Sequence, residues 1–196
     1  MITIKRVTET AELEGIKLLQ QENLKTNLTG EEILAEGFVT AEYSLDFLKI
    51  MHEAGPSIIA KDDELVIGYA LVADKLIRHH HDLLADLFNT IDNTLYKGKL
   101  LKDTKYVVVG QLCVSKQYRG MGLVQQMYDH YRNCLSGQFD CCITDIAQGN
   151  PRSLKAHIKA GFQVISTLNF GGVKWDIVLW DWKNRLETGD YRPGAG

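Results

Sequence analysis

The 196-residue sequence lacks the features that mark several classes of protein. It has no apolar run of the ~18 residues that a membrane-spanning helix needs, and its N-terminal segment lacks the apolar core of a signal peptide. Its net charge of −3 provides no basic excess for binding nucleic acid or an anionic membrane. We therefore expect a cytoplasmic protein that binds neither nucleic acid nor membrane.

The spacing patterns of metal sites are also missing. The four cysteines, at positions 113, 134, 141 and 142, form no C-x-x-C pair, and the adjacent Cys141 and Cys142 would point to opposite faces of a strand. The consecutive histidines within residues 78–82 diverge in the same way, so a solvated loop before a helix capped by Asp82 explains them better. We predict reduced, buried thiols and no metal.

What is present is the composition and periodicity of an α/β domain. Hydrophobic residues make up 45% and charged residues 24%, which is ordinary for a globular protein and argues against disorder. Alternating and helical patterns follow in the order β-α-α-β-β-insert-β-α-β-α-β-β. We predict one α/β domain over residues 1–185, with a mixed, twisted sheet of about seven strands flanked by helices, and a flexible polar tail over residues 186–196.

The insert spans about residues 74–104, between the third and fourth strands. No strand pattern occurs there, whereas apolar residues recur at helical spacing at Leu84, Leu87, Phe88, Ile91 and Leu95. We predict a loop, a helix of about three turns, and a second loop.

A glycine-containing turn joins a valine-rich strand, residues 106–114, to a helix. Gly120 and Gly122 let the backbone approach a ligand closely and adopt positive φ. The start of the helix adds unpaired amides and a positive dipole end, which together favour phosphate. The alternative is that the two glycines serve only a tight entry into the helix.

Two motifs around this turn carry a family resemblance. Gln117-x-x-Gly120-x-Gly122 resembles the [RQ]-x-x-G-x-[GA] signature of the GNAT superfamily of N-acetyltransferases, and residues 150–162 resemble its second block, N-x-x-[AS]-x-x-x-[YH]-x-x-x-G-F. The resemblance is detailed over about residues 106–165, and the N-terminal part agrees in element order only. It implies transfer of an acetyl or other acyl group from acetyl-CoA to a primary amine of a small molecule or peptide, by direct attack in a ternary complex without metal.

The resemblance also implies where CoA would bind. Backbone amides from Tyr118 to Leu123 would hold the pyrophosphate. The pantetheine arm would pair with the strand edge at residues 112–114, where two parallel strands splay apart. Asn150 would hydrogen-bond the same arm. The implied cofactor-binding set is Leu112, Cys113, Val114, Gln117, Tyr118, Arg119, Gly120, Met121, Gly122, Leu123, Asn150, Ser153 and His157, with the Cys113 side chain treated as core.

Candidates for acid–base chemistry are few. The family commonly has a tyrosine that protonates the leaving thiolate at the position of His157, and imidazole could replace it as general acid. A packed histidine with a satisfied hydrogen bond is the alternative. Gln111 cannot act as a base. Asp145, near the end of the following strand, is a candidate base, and a cap or turn role is its alternative.

The acceptor site is expected where the second helical stretch breaks, near residues 37–40. Phe38, Thr40 and Tyr43 are the candidate substrate-binding residues, and the insert would form a lid or narrow the site. Glu36 and Glu42 could attract a cationic amine or be merely solvated.

The last strand carries a pair of tryptophans. Trp180 and Trp182 share one face of the strand, which favours core packing or a homodimer contact over ligand stacking. The alternative function is a non-catalytic acyl-CoA-binding sensor or interaction domain of the same fold.

Overall fold

The computed structural model describes residues 1–183, apart from the side chains of residues 34 and 35. The tail predicted over residues 186–196 therefore lies outside the described residues, as does the predicted domain boundary at residue 185. No helix in the described part of the chain is both long and apolar enough to cross a membrane.

Within residues 1–183 there are nine strands and six α-helices. Their order agrees with the predicted one, except that the second predicted helical stretch is divided into two helices and the insert also contains two short strands. The elements are β1 (Ile2–Arg6), α1 (Thr10–Glu22), α2 (Gly30–Glu36), α3 (Leu45–Ala54), β2 (Ile58–Asp62), β3 (Leu65–Ala73), α4 (Asp82–Asp92), β4 (Leu95–Tyr96), β5 (Lys99–Leu100), β6 (Tyr106–Val114), α5 (Leu123–Leu135), β7 (Cys141–Ala147), α6 (Pro151–Ala160), β8 (Gln163–Phe170) and β9 (Val173–Asp181).

Seven of these strands form one mixed sheet in the order β1-β2-β3-β6-β7-β9-β8. All neighbours run antiparallel except β6 and β7, which run parallel because α5 crosses over between them. The predicted mixed sheet of about seven strands is confirmed.

Helices cover both faces of the sheet and divide the core into two layers. Leu48 of α3 and Leu87 of α4 pack with Cys141 in one buried cluster, whereas Met127 of α5 packs with Cys142 in the other. Cys141 and Cys142 thus point to opposite faces, as the strand alternation predicts.

The insert contains the predicted helix, α4, which buries Leu84, Leu87, Phe88 and Ile91. Leu95, predicted on the same stripe, lies beyond the helix in β4 and is exposed, so that part of the prediction is wrong. A short 3-10 turn precedes α4, and the strands β4 and β5 follow it as a hairpin. The hairpin was not predicted, because strands of two residues carry no periodicity. The N-cap is His81, and Asp82 is the first helical residue, so the predicted capping role of Asp82 is wrong.

The strands β6 and β7 separate midway along the sheet. Their pairing stops at Val108 and Ile143, and beyond it the Thr144 hydroxyl donates to the carbonyl oxygen of Val109 at 2.8 Å. The β3–β6 register also shifts between Val109 and Leu112, so β6 bulges where the strands part. The predicted splay between the two parallel strands is therefore present.

Candidate functional site

The turn before α5 exposes a run of backbone N–H groups. Gly120 and Gly122 have φ of 83° and 76°, the left-handed region that glycine enters without strain. The N–H groups of residues 120–125, all in the described part of the chain, donate to no other protein atom. Tyr118 and Arg119 differ, because their N–H groups bond within the turn at 2.9 and 3.4 Å. The free run thus starts two residues later than predicted and extends to Gln125, at the positive end of a 13-residue helix.

This turn forms one side of a groove of about 300 Å³. The opposite side is the segment 36–39 after α2, and the start of α6 closes one end. Most residues predicted to bind the cofactor line this groove, namely Leu112, Cys113, Val114, Tyr118, Arg119, Gly120, Gly122, Leu123, Asn150 and Ser153. Gln117 and Met121 are not among its lining residues, and His157 lines an adjoining cavity instead.

The Arg119 side chain is directed into the protein rather than into the groove. Its guanidinium donates to the Val114 carbonyl at 3.0 Å, to the Glu36 carboxylate and carbonyl at 2.8 Å, and to the Asn23 side chain at 2.6 Å. It therefore ties the turn to the ends of α1 and α2, and the sequence alone gave no signal of these distant partners. The turn offers its backbone, and not this guanidinium, to an anion.

The two carboxylates considered as attractors of an amine are engaged elsewhere. The hydrogen bond from Arg119 lowers the pKa of Glu36. Glu42 forms an ion pair with Lys17 at 2.5 Å, and that hydrogen bond lowers the pKa of Glu42. Each carboxylate is paired with a cation of the protein, which argues against a role in attracting a cationic amine.

Asn150 connects α6 to the opposite wall of the groove. Its Oδ1 accepts from the Ser153 N–H at 3.2 Å, which caps α6, and its Nδ2 donates to the Phe38 carbonyl at 2.9 Å. A side-chain amide has two donor hydrogens and two acceptor lone pairs. One of each remains for a ligand.

A smaller cavity of about 70 Å³ adjoins the groove where β6 and β7 part. The two share Phe38, Leu112, Asn150 and Ser153 in their walls, so the groove leads into the cavity. The predicted substrate residues Phe38, Thr40 and Tyr43 all line the cavity. Leu83 of α4 also contributes to its wall, so the insert narrows this space, as predicted.

Asp145 brings the only carboxylate among the described residues that line the small cavity. It lies within β7, opposite Ile177 of β9, so the alternative of a cap or turn role is wrong. Its Oδ2 is buried without a hydrogen-bond partner. Burial raises the pKa of Asp145 to about 7, which is the range in which a carboxylate exchanges protons at neutral pH.

His157 packs against aromatic residues on the sheet face that α5 covers, opposite the face that α3 and α4 cover. Its Nδ1 is 2.8 Å from the Ser153 carbonyl oxygen, and because a carbonyl only accepts, Nδ1 carries the proton. Rings of Tyr128 and Phe162 surround it at 5.5 and 5.3 Å. Burial lowers the pKa of His157 to about 4, so the imidazole is neutral at pH 7. These contacts match the packed-histidine alternative and argue against the general acid.

A polar network that the sequence did not reveal holds the outer wall of the cavity. Gln111 Oε1 accepts from Gln20 at 2.8 Å and from the Tyr69 hydroxyl at 2.6 Å, while Gln111 Nε2 donates to the Ala41 carbonyl at 2.8 Å. Gln20 in turn accepts from the Tyr43 N–H at 2.8 Å. Fully bonded networks of this kind rigidify what they join, here the segment 41–43 and the sheet.

The remaining candidates belong to the core. Trp180 packs against Phe162 and Trp182 at ring-centroid distances of 5.7 and 5.8 Å, which confirms core packing for this tryptophan pair. Burial raises the pKa of the Cys113 thiol to about 12, so this thiol is not a nucleophile at neutral pH. Trp175, which was not assigned to the site, lines the small cavity instead. Within the described residues, no group of three potential ligands could hold a metal ion.

Comparisons with known proteins bear on the fold. Neither protein-family models nor curated protein sequences give a match. Among solved structures, a GNAT-family acetyltransferase from Streptococcus agalactiae is similar at 17% identity and a TM-score of 0.64, over 92% of this chain and 95% of that one.

Two further structures agree with it over nearly the whole chain. The ribosomal-protein-S18-alanine N-acetyltransferase from Escherichia coli aligns at 13% identity and a TM-score of 0.63, over 96% of this chain and 99% of that one. YncA from Salmonella typhimurium, solved with acetyl-CoA, aligns at 15% identity and a TM-score of 0.61, over 97% and 99%. The chain thus has the fold of the GNAT acetyltransferases.

Proposed function

We propose that the protein transfers an acetyl group from acetyl-CoA to a primary amine by direct attack within a ternary complex. The observation that carries the proposal is the junction of two cavities: a groove edged by free backbone amides opens into a small cavity that holds the Asp145 carboxylate, whose buried Oδ2 has no hydrogen-bond partner. The shared fold supports this reading but does not by itself assign a substrate.

We propose that the groove binds CoA. The amides of residues 120–125 would bind the pyrophosphate, because they are free, adjacent and at the positive end of α5. The unpaired edge of β6 at residues 112–114 would hydrogen-bond the pantetheine arm, and Asn150 retains a donor and an acceptor for it. The thioester would then lie at the entrance to the small cavity.

Asp145 would supply the base. An ammonium ion cannot attack a carbonyl, so its proton must leave first, and Asp145 would accept that proton directly or through one water molecule. The amine nitrogen then bonds to the acetyl carbon and releases its second proton to solvent, the carbon–sulfur bond breaks, and the departing sulfur takes a proton from solvent. His157 supplies no proton in this scheme because its imidazole is neutral.

The non-catalytic acyl-CoA sensor is the second candidate function. The neutral state of His157 favours it, since the position lacks the proton donor that the family resemblance implies. The two candidates share the groove and differ in whether CoA is released when an amine is present.

Binding of acetyl-CoA tests the shared premise. Calorimetry should detect acetyl-CoA binding by the wild type and its loss in Gly120→Glu, because a carboxylate there repels the pyrophosphate. Gly98→Glu is the matched control, since Gly98 also has positive φ and an open surrounding, on the β4–β5 turn. Retained binding by Gly98→Glu with loss by a folded Gly120→Glu supports the site. No binding by the wild type would sink the proposal.

A further inference from the structure

The small cavity has an unusual balance of charge. Among residues 1–183, Asp145 is the one ionised side chain in its wall at alkaline pH, and no lysine or arginine lines it. His157 is neutral. Lys25 stacks over the Phe38 ring at 5.1 Å and does not line the cavity.

The rest of the wall is neutral and partly aromatic. Phe38, Tyr43 and Trp175 contribute rings, and Leu83 contributes an apolar side chain from the insert. The Tyr43 hydroxyl donates to the Gly110 carbonyl at 3.2 Å and is therefore already engaged. Trp175 Nε1–H is a buried donor without a partner, but one neutral donor does not offset the cost of burying an ionised group.

The volume adds a second restriction. A cavity of about 70 Å³ has space for only a few water molecules, so it admits the amine end of an acceptor and the first atoms of its chain. A substituent on the carbon next to the nitrogen would therefore lie close to Asp145. A carboxylate at that position would meet a like charge without any cation to pair with it.

Resting on the proposed function, we infer that the acceptor is a cationic primary amine whose nitrogen-bearing carbon carries no carboxylate, so that free α-amino acids are excluded. The ammonium group is attracted by Asp145, and the uncharged, partly aromatic wall accepts an alkyl or arylalkyl chain behind it. Free α-amino acids are excluded because no cation among the described residues lines the cavity to pair with their carboxylate, and also because the cavity is small.

Matched pairs that differ by one carboxylate test this inference. Thiol release from acetyl-CoA is measured with ethylamine and alanine, phenethylamine and phenylalanine, and tryptamine and tryptophan. Contact between like charges costs several kcal/mol. For each pair with measurable turnover, kcat/KM should therefore be roughly 100-fold or more higher for the amine than for the matching amino acid. Phenylalaninamide, which keeps the shape of phenylalanine without its charge, should be accepted better than phenylalanine.

A charge-gain variant provides a second, independent readout. Thr40 is exposed and lines the cavity, so Thr40→Lys adds a cation at the rim with little effect on folding. The ratio between phenethylamine and phenylalanine should fall at least about tenfold in Thr40→Lys and stay at the wild-type value in the neutral control Thr40→Gln.

The outcomes separate this inference from the proposed function. If acetyl-CoA does not bind, the proposed function fails. If acetyl-CoA binds and an α-amino acid is acetylated as well as its decarboxylated counterpart, the inference is overturned while the proposed function stands. Bound acetyl-CoA with turnover of none of these amines also overturns the inference.

Discussion

Asp145 and Tyr43 line the same small cavity, yet the Tyr43 hydroxyl donates to the Gly110 carbonyl at 3.2 Å and leaves Asp145 Oδ2 without a partner. Burial, and then the charge of Asp145, raises the pKa of Tyr43. The tyrosine therefore stays protonated and neutral. The Asp145 carboxylate lies where β6 and β7 part, and its burial raises its pKa to about 7.

The rate of acetyl transfer should depend on the ionisation of Asp145. Because the base acts only when deprotonated, kcat/KM is expected to rise with pH and level off above an apparent pKa of about 7. Asp145→Asn should lower kcat/KM by roughly 10²–10⁴-fold. A pH–rate profile from about pH 5 to pH 9, with saturating acetyl-CoA, measures both effects.

Acetyl-CoA binding is the control for that variant. Asp145 lines the small cavity and not the groove, so Asp145→Asn should keep the wild-type dissociation constant for acetyl-CoA. Full activity in Asp145→Asn, or a flat profile across pH 7 in the wild type, would remove Asp145 from the mechanism.

The ionised form of Asp145 should also destabilise the folded protein. Its folded pKa of about 7 lies above the usual aspartate value of 3.8, so the folded state binds its proton more tightly than the unfolded state. The cost is absent below about pH 4, grows as pH rises, and is complete above about pH 7, reaching about 4 kcal/mol at most. Asp145→Asn should therefore unfold at a higher urea concentration than the wild type at pH 8. A variant less stable than the wild type at pH 8 would contradict the buried, partnerless carboxylate.

His157 should show the opposite dependence on pH. Its folded pKa of about 4 lies below the usual histidine value of 6.5, so its contribution to stability is complete above about pH 6.5 and is lost as pH falls towards 4. His157→Gln should remove this loss of stability at low pH. The loss is measured as the difference between the free energies of unfolding at about pH 7 and about pH 5. Its kcat should stay within about threefold of the wild type at pH 7.5, and a loss of 100-fold in the folded variant would restore the general-acid role.

Arg119 should matter for the shape of the site more than for its charge. Its guanidinium joins Val114, Glu36 and Asn23 and is largely buried, so Arg119→Lys loses bonds that a single ammonium cannot replace. We expect a loss of about 2 kcal/mol in unfolding free energy. The exposed pair Lys116–Glu32 is the comparison, because Lys116→Gln should cost less than about 1 kcal/mol. Equal costs for the two variants would show that Arg119 is an ordinary surface cation.

The parts of the site that follow from local chain geometry could be predicted from sequence. Gly120 and Gly122 act through their own φ angles and the helix that follows them, so the motif was sufficient to locate the turn. Gly37 similarly marked the break between α2 and α3, which forms the outer wall of the cavity.

The properties that sequence could not supply depend on distant partners. The neutral state of His157 comes from packing against Tyr128 and Phe162 of other elements. The engagement of Arg119 comes from Asn23, which is 96 positions away, and the isolation of Asp145 comes from the splay of two strands. None of these relations leaves a periodic or spaced pattern in the chain.

Product formation tests the central claim most directly. Purified protein is incubated with acetyl-CoA and phenethylamine, and released thiol and N-acetylated amine are quantified together, the latter by mass spectrometry. Acetyl transfer predicts one thiol per acetylated amine in the wild type and a loss of roughly 10²–10⁴-fold in Asp145→Asn. Acetyl-CoA that binds saturably but yields no acetylated product from any primary amine would contradict the account and favour the non-catalytic sensor.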